Sequence, residues 1–81
     1  MNVKDLQTAV ARAHDVVGSK ADVMACREGE HSGIQISGCS ADDARGFAYN
    51  VAQAIFGCNW TDPRVARAIV TRPGIACVWL D

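Results

Sequence analysis

Four cysteines, Cys26, Cys39, Cys58 and Cys77, have the widest chemical range in this chain, and they follow one another at steps of 13, 19 and 19 residues. Structural zinc sites draw their ligands from close pairs such as C-x-x-C, because one tight turn then presents two thiolates to the same ion. No such pair occurs, and the spacing does not describe a disulfide framework either. The default is four small buried apolar residues, with a metal site that also enlists His31, or a redox thiol pair, as the alternatives. His14 flanks the apolar stripe of an expected helix, and His31 falls in a polar loop where a solvated imidazole is the rule. Gly29 and Gly33 lie between two expected strands, not at the strand-to-helix turn that cradles phosphate. No G-x-S-x-G, H-E-x-x-H or P-loop pattern occurs. The expectation is a chain that is not an enzyme and uses no cofactor and no metal.

A second group of residues suits binding rather than catalysis. Trp60-Thr61-Asp62-Pro63-Arg64-Val65-Ala66-Arg67, continued by Arg72, gathers a tryptophan and three of the eight basic residues. Arg64 and Arg67 are three apart and share one face of a short helix, which Asp62 caps and so positions. Planar guanidinium and indole groups bring large contact area at modest entropic cost, which is why they concentrate the energy of interfaces. Trp60, Arg64, Arg67 and Arg72 are therefore the candidate binding residues, against the alternative of a solvated helix face with Trp60 tucked into the rim of the core. The acidic segments Glu28 to Glu30 and Asp42-Asp43 form an opposite-sign region that a loop and a helix N-terminus explain.

The composition limits what these residues can serve. At 81 residues the chain has room for one small domain. Hydrophobic residues reach 49%, but 13 of them are alanine, so the core is broad and shallow. A deep, water-excluding cleft is not expected at this size. Eight basic against nine acidic residues give a net charge of −1, without the basic excess of a general nucleic-acid binder. No apolar run approaches the roughly 20 residues that span a bilayer. Met1 to Asp5 lacks the apolar stretch of a secretory signal, so a complete, cytoplasmic chain is expected.

The elements that must position the candidates can be read from periodicity. Val3, Leu6, Val10, Ala13 and Val17 recur at helical steps between Asn2, a capping residue, and Gly18. Ala21 to Glu28 and Ile34 to Cys39 read as a hairpin with a loop of about four to six residues. A turn near Glu30 and His31 would set Cys26 opposite about Gln35. Ser40 starts a second helix carrying Ala44, Ala48, Val51 and Ile55, with Phe47 and Ala54 widening the stripe, and Gly57 ends it. Asp62-Pro63 starts a third, with Val65, Ala66, Ile69 and Val70, which Pro73-Gly74 ends. Ile75 to Leu80 is apolar throughout, as in a strand buried on both faces. The order is α-β-β-α-α-β, an α+β two-layer fold with a three-stranded antiparallel-type sheet and helices packed on it, as a single domain over residues 1–81.

This layout, with the helix from Ser40 to Gly57 following a hairpin strand and no catalytic signature, resembles the small single-domain inhibitors of phages and mobile elements, anti-CRISPR proteins among them. The resemblance implies a non-enzymatic inhibitor that occupies a protein surface, often one that normally accepts nucleic acid. The near-zero charge departs from the strongly acidic members that imitate DNA, which favours direct contact with a protein. The expected function is thus a protein-binding module that blocks a host defence or nucleic-acid-handling complex. The alternative is a small nucleic-acid-binding regulator using Arg64, Arg67 and Arg72 on phosphates; a thiol or zinc module is a third reading. No membrane partner is expected, and the strand from Ala21 to Glu28 could pair with a second copy as a homodimer.

Overall fold

A computed structural model describes residues 2–81. Helix α1, Val3–Val17, begins where the Asn2 side chain accepts a hydrogen bond from the Asp5 amide at 2.9 Å, and it ends at Gly18 with a φ of +65°. Helix α2, Ala41–Phe56, starts in the same way from Ser40, whose hydroxyl oxygen accepts from the Asp43 amide at 3.1 Å, and a left-handed Gly57 stops it. The short helix α3, Pro63–Ala68, is capped by Asp62. In each case a polar side chain satisfies an amide that the first helical turn leaves without a partner.

Four strands form one antiparallel sheet: β1, Asp22–Glu28; β2, His31–Ser37; β3, Ile69–Arg72; and β4, Ile75–Trp79. Their order is β1-β2-β4-β3. Alternation puts Val23, Ile34, Ile36, Ala76 and Val78 on one face, where they join Ala9, Ala13 and Val17 of α1, Ala44, Ala48, Val51 and Ala52 of α2, and Val65 and Ala68 of α3 in a single core. Alanines four apart on the two long helices, Ala9 and Ala13 facing Ala44, Ala48 and Ala52, permit close approach of the helix axes. Arg12 fastens the pair by donating to the Ala54 carbonyl oxygen at 3.5 Å. The opposite face of the sheet carries Met24, Cys26, Gln35, Cys77, Trp79 and Val70, and all three helices pack on the other side.

The fold is α+β and two-layered, as expected, but the sheet has four strands and the order is α-β-β-α-α-β-β. The missed strand is Ile69–Arg72, whose Ile69 and Val70 fit the apolar spacing of α3. Helix α3 stops at Ala68, and Ile69 is already extended at φ −98°, ψ 124°. Ile69, Val70 and Thr71 are β-branched and favour strand. Pro73-Gly74, with Gly74 at φ +73°, makes a two-residue turn that folds β4 back along them. The expected β1–β2 loop is also shorter: Glu28 pairs with His31, leaving Gly29 and Glu30 as a two-residue turn with Gly29 at φ +61°. Strand β2 accordingly runs His31–Ser37, and Cys26 stands opposite Gly33, not Gln35.

Candidate protein-binding surface

Asp62 does two things at the start of α3. Its Oδ1 accepts from the Arg64 amide at 2.9 Å, and both carboxylate oxygens accept from the Arg64 guanidinium, the shortest contact being 2.9 Å from a terminal nitrogen to Oδ2. The guanidinium and the amide of Arg64 hold the Asp62 carboxyl down to about 2, well below the usual carboxylate range, and the side-chain hydrogen bond to the Asp62 carboxylate and its charge push Arg64 up. Both side chains remain in solvent, so this pair orients Arg64 more than it stabilises the fold.

Arg64 and Arg67 come together as expected. They line one shallow groove with Phe56, Trp79, Leu80 and Asp81, between α3 and the end of β4. Val65 turns away from them and is fully buried. The far end of β4 is tied down: the Ser32 amide donates to the Asp81 carboxylate at 2.6 Å, the Leu80 amide donates to the Ser32 carbonyl oxygen at 2.9 Å, and the His31 and Trp79 rings meet edge-on at 6.3 Å.

Trp60 and Arg72 lie apart from that groove. Trp60 is 63% exposed rather than tucked into the rim of the core. It borders a second groove, on the outer face of α2, with Arg45, Gly46, Tyr49, Asn50 and Gln53. The Arg45 guanidinium carbon lies 5.9 Å from the centre of the Tyr49 ring, within cation–π range. Gly46 supplies an open floor, since a Cβ there would meet no atom within 4 Å. The signal for this groove was in the sequence: residues 45, 46, 49, 50 and 53 recur at helical spacing opposite the Ala44, Ala48, Val51 and Ala52 stripe. Arg72 sits at the end of β3, where it lines a depression with Ala41, Asp42 and Arg45 and approaches the Glu28 carboxylate at 3.9 Å. Of the two acidic segments only the first, through Glu28, faces a basic residue at ion-pair distance among the described residues, and the expected patch of Trp60 and three arginines is dispersed over three places.

None of the four cysteines is in a disulfide. Cys39 and Cys58 are half-buried against the core. Among the described residues no three of His, Cys, Asp and Glu come together as metal ligands, so the site with His31 does not assemble. His14 is exposed on α1, and His31 is exposed with its Nδ1 at 3.0 Å from the Asp81 carbonyl oxygen. No helix among the described residues is long and apolar enough to cross a membrane.

The fold and these grooves define a small two-layer α+β domain whose outward-facing aromatic and guanidinium groups surround shallow depressions. No protein-family model matches this chain, no curated protein matches it, and no solved structure matches it.

Proposed function

We propose that the chain is a non-catalytic binding module that acts by protein–protein contact, with the outer face of α2 and Trp60 at the centre of the contact and Arg64 and Arg67 at its flank. The observation that carries this reading is an exposed tryptophan standing beside Tyr49 and Arg45 over a glycine floor. An indole 63% exposed is costly to leave uncovered, and tryptophan, tyrosine and arginine are the types that dominate interface energy. The resemblance to phage and mobile-element inhibitors suggests a host complex that handles nucleic acid as the partner, blocked by occupation of its surface. Direct phosphate binding is less well supported, because Arg64 and Arg72 each face a carboxylate of the chain itself.

The test is capture from nuclease-treated cell lysate by immobilised protein, comparing the wild type with Trp60→Ala. One defined set of proteins retained by the wild type after nuclease and lost by Trp60→Ala is the expected result. Equal capture by both proteins removes Trp60 from the surface, and capture that disappears with nuclease replaces this reading with the nucleic-acid one.

A further inference from the structure

The contact surface proposed above takes no residue from the edge of the sheet that β1 forms. This strand pairs along one side only, with β2, in an unbroken register from Asp22 to Glu28 that holds no proline and no bulge. The two-residue turn makes Glu28 and His31 the hydrogen-bonded closing pair, so the alternation of an antiparallel ladder turns the N–H and C=O groups of Val23 and Ala25 away from β2. No hydrogen bond among the described residues reaches those groups. Natural edge strands of this length are interrupted by proline, a bulge or a charge, whereas the middle of this one, Val23-Met24-Ala25-Cys26, has none of the three.

Helix α1 adds an apolar surface beside that edge. Val3, Gln7, Val10, Ala11 and His14 line a shallow groove with Ala25 of β1. Each depression described above holds at least one arginine, but no Asp, Glu, Lys or Arg lines this one. Val3 and Met24, at its two borders, are both more than half exposed, at 58% and 52%.

We propose that the β1 edge and this stripe of α1 bind a second copy of the chain, β1 antiparallel to β1, about a two-fold axis at Met24. Only registers that keep the helices of both copies on one side of the joined sheet are open to such a pair. With Val23 opposite the partner's Ala25, the unpaired backbone groups of each edge bond to those of the other. Met24 then meets the partner's Met24 in the closer, non-hydrogen-bonded pair. Lys20, two residues ahead of β1, comes opposite the partner's Glu28, and symmetry makes that charge pair twice. A shift of two residues, which puts Ala25 on the partner's Ala25, sets Asp22 against the partner's Glu28 instead, two like charges. Charge therefore selects the first register. The same axis brings the two α1 helices side by side, so that the apolar groove of one copy covers that of the other. A single extended peptide satisfies the strand edge but brings no helix for the groove. The Trp60 groove, which no residue of α1 or β1 lines, stays open in both copies.

The test is sedimentation equilibrium of the reduced protein over a range of concentrations, paired with amide hydrogen exchange read residue by residue. The expected result is a reversible shift from 8.6 kDa to twice that mass. The amides of Val23 and Ala25 should exchange fast in dilute solution and slowly where the dimer forms. Met24→Lys sets two like charges at the axis on a side chain that is exposed in the single copy, so it should keep the wild-type melting curve of the dilute protein and weaken dimerisation about tenfold or more. Lys20→Glu and Glu28→Lys should each weaken it, and the two together should restore it. A mass of 8.6 kDa at every concentration, or a dimer in which Val23 and Ala25 still exchange fast, overturns the proposal. A charge swap that restores nothing overturns the register.

Discussion

The Cε3 atom of Trp79 lies 2.9 Å from the point where a Cβ of Gly33 would stand, so the indole of β4 occupies the space that β2 leaves by having no side chain there. The same point is 2.7 Å from the Val78 carbonyl oxygen, which is backbone of a central strand and cannot swing aside. Gly33→Ala should therefore destabilise the fold by about 1–3 kcal/mol, as overpacking does, lowering the melting temperature by about 4–8 °C for each kcal/mol. A melting curve like that of the wild type would show that the sheet yields where the geometry says it is full.

Gly46 provides the opposite case. It lies inside α2 with open space around it, so Gly46→Ala should raise stability by about 0.5–1 kcal/mol through helix propensity alone. Because it floors the groove beside Trp60, the same change should weaken partner capture while the melting temperature rises. Capture that increases along with stability would place the contact elsewhere.

Arg64 and Arg67 together replaced by Ala should leave the melting temperature nearly unchanged, since both are solvent-facing, and weaken partner binding about tenfold or more. Raising the salt should weaken the wild-type complex only modestly if the partner is a protein, and steeply if the arginines neutralise phosphates and release counterions.

Asp62 predicts a pH dependence with a definite sign. Its carboxyl titrates near 2 in the folded chain and near the ordinary value of about 4 when unfolded. Between these values the unfolded chain binds more protons, so the stabilisation is present above about pH 4 and is lost as the pH falls toward 2. Asp62→Asn keeps an acceptor for the Arg64 amide but removes the ion pair, and should flatten that part of the acid unfolding curve. Asp62→Ala should in addition lower the melting temperature at neutral pH through loss of the cap.

Cys26 moves the other way. Burial, then the neighbouring Cys77 thiol, then Glu28, push it up to about 11. Alkylation of Cys26 by iodoacetamide, followed by peptide mass spectrometry, should keep accelerating well past pH 9. The unfolded thiol ionises at about 8.5, so stability should fall as the pH rises from there toward 11. A rate that levels off near pH 8.5 would mean that the thiol is open to solvent.

The sequence was most legible where a local chemical rule acts. Asn2, Ser40 and Asp62 cap helices because a short polar side chain reaches an amide two or three residues on, and that reach is visible in the letters alone. Ile69 and Val70 show the limit: their spacing from Val65 suits a helix, and their β-branching decides for a strand once the Pro73-Gly74 turn brings β4 back as a partner. Trp60 was picked out by type, but its exposure depends on how the Cys58–Thr61 linker leaves α2. The placing of Cys26 and Cys77 on one face of the sheet is more remote still, since it depends on a strand order that sets β2 between residues 51 positions apart.

That strand order also governs when the molecule can form. Strand β4 follows the other three in sequence, yet it lies inside the sheet, pairing with β2 on one side and β3 on the other. A chain emerging from the ribosome can close the β1–β2 hairpin and wind α1 and α2, but β3 has nothing to pair with, and one side of β2 stays open, until Trp79 is out. Until residues 75–79 are available the growing chain thus carries an unpaired strand edge beside exposed apolar residues, and the sheet closes only when its latest strand inserts between β2 and β3.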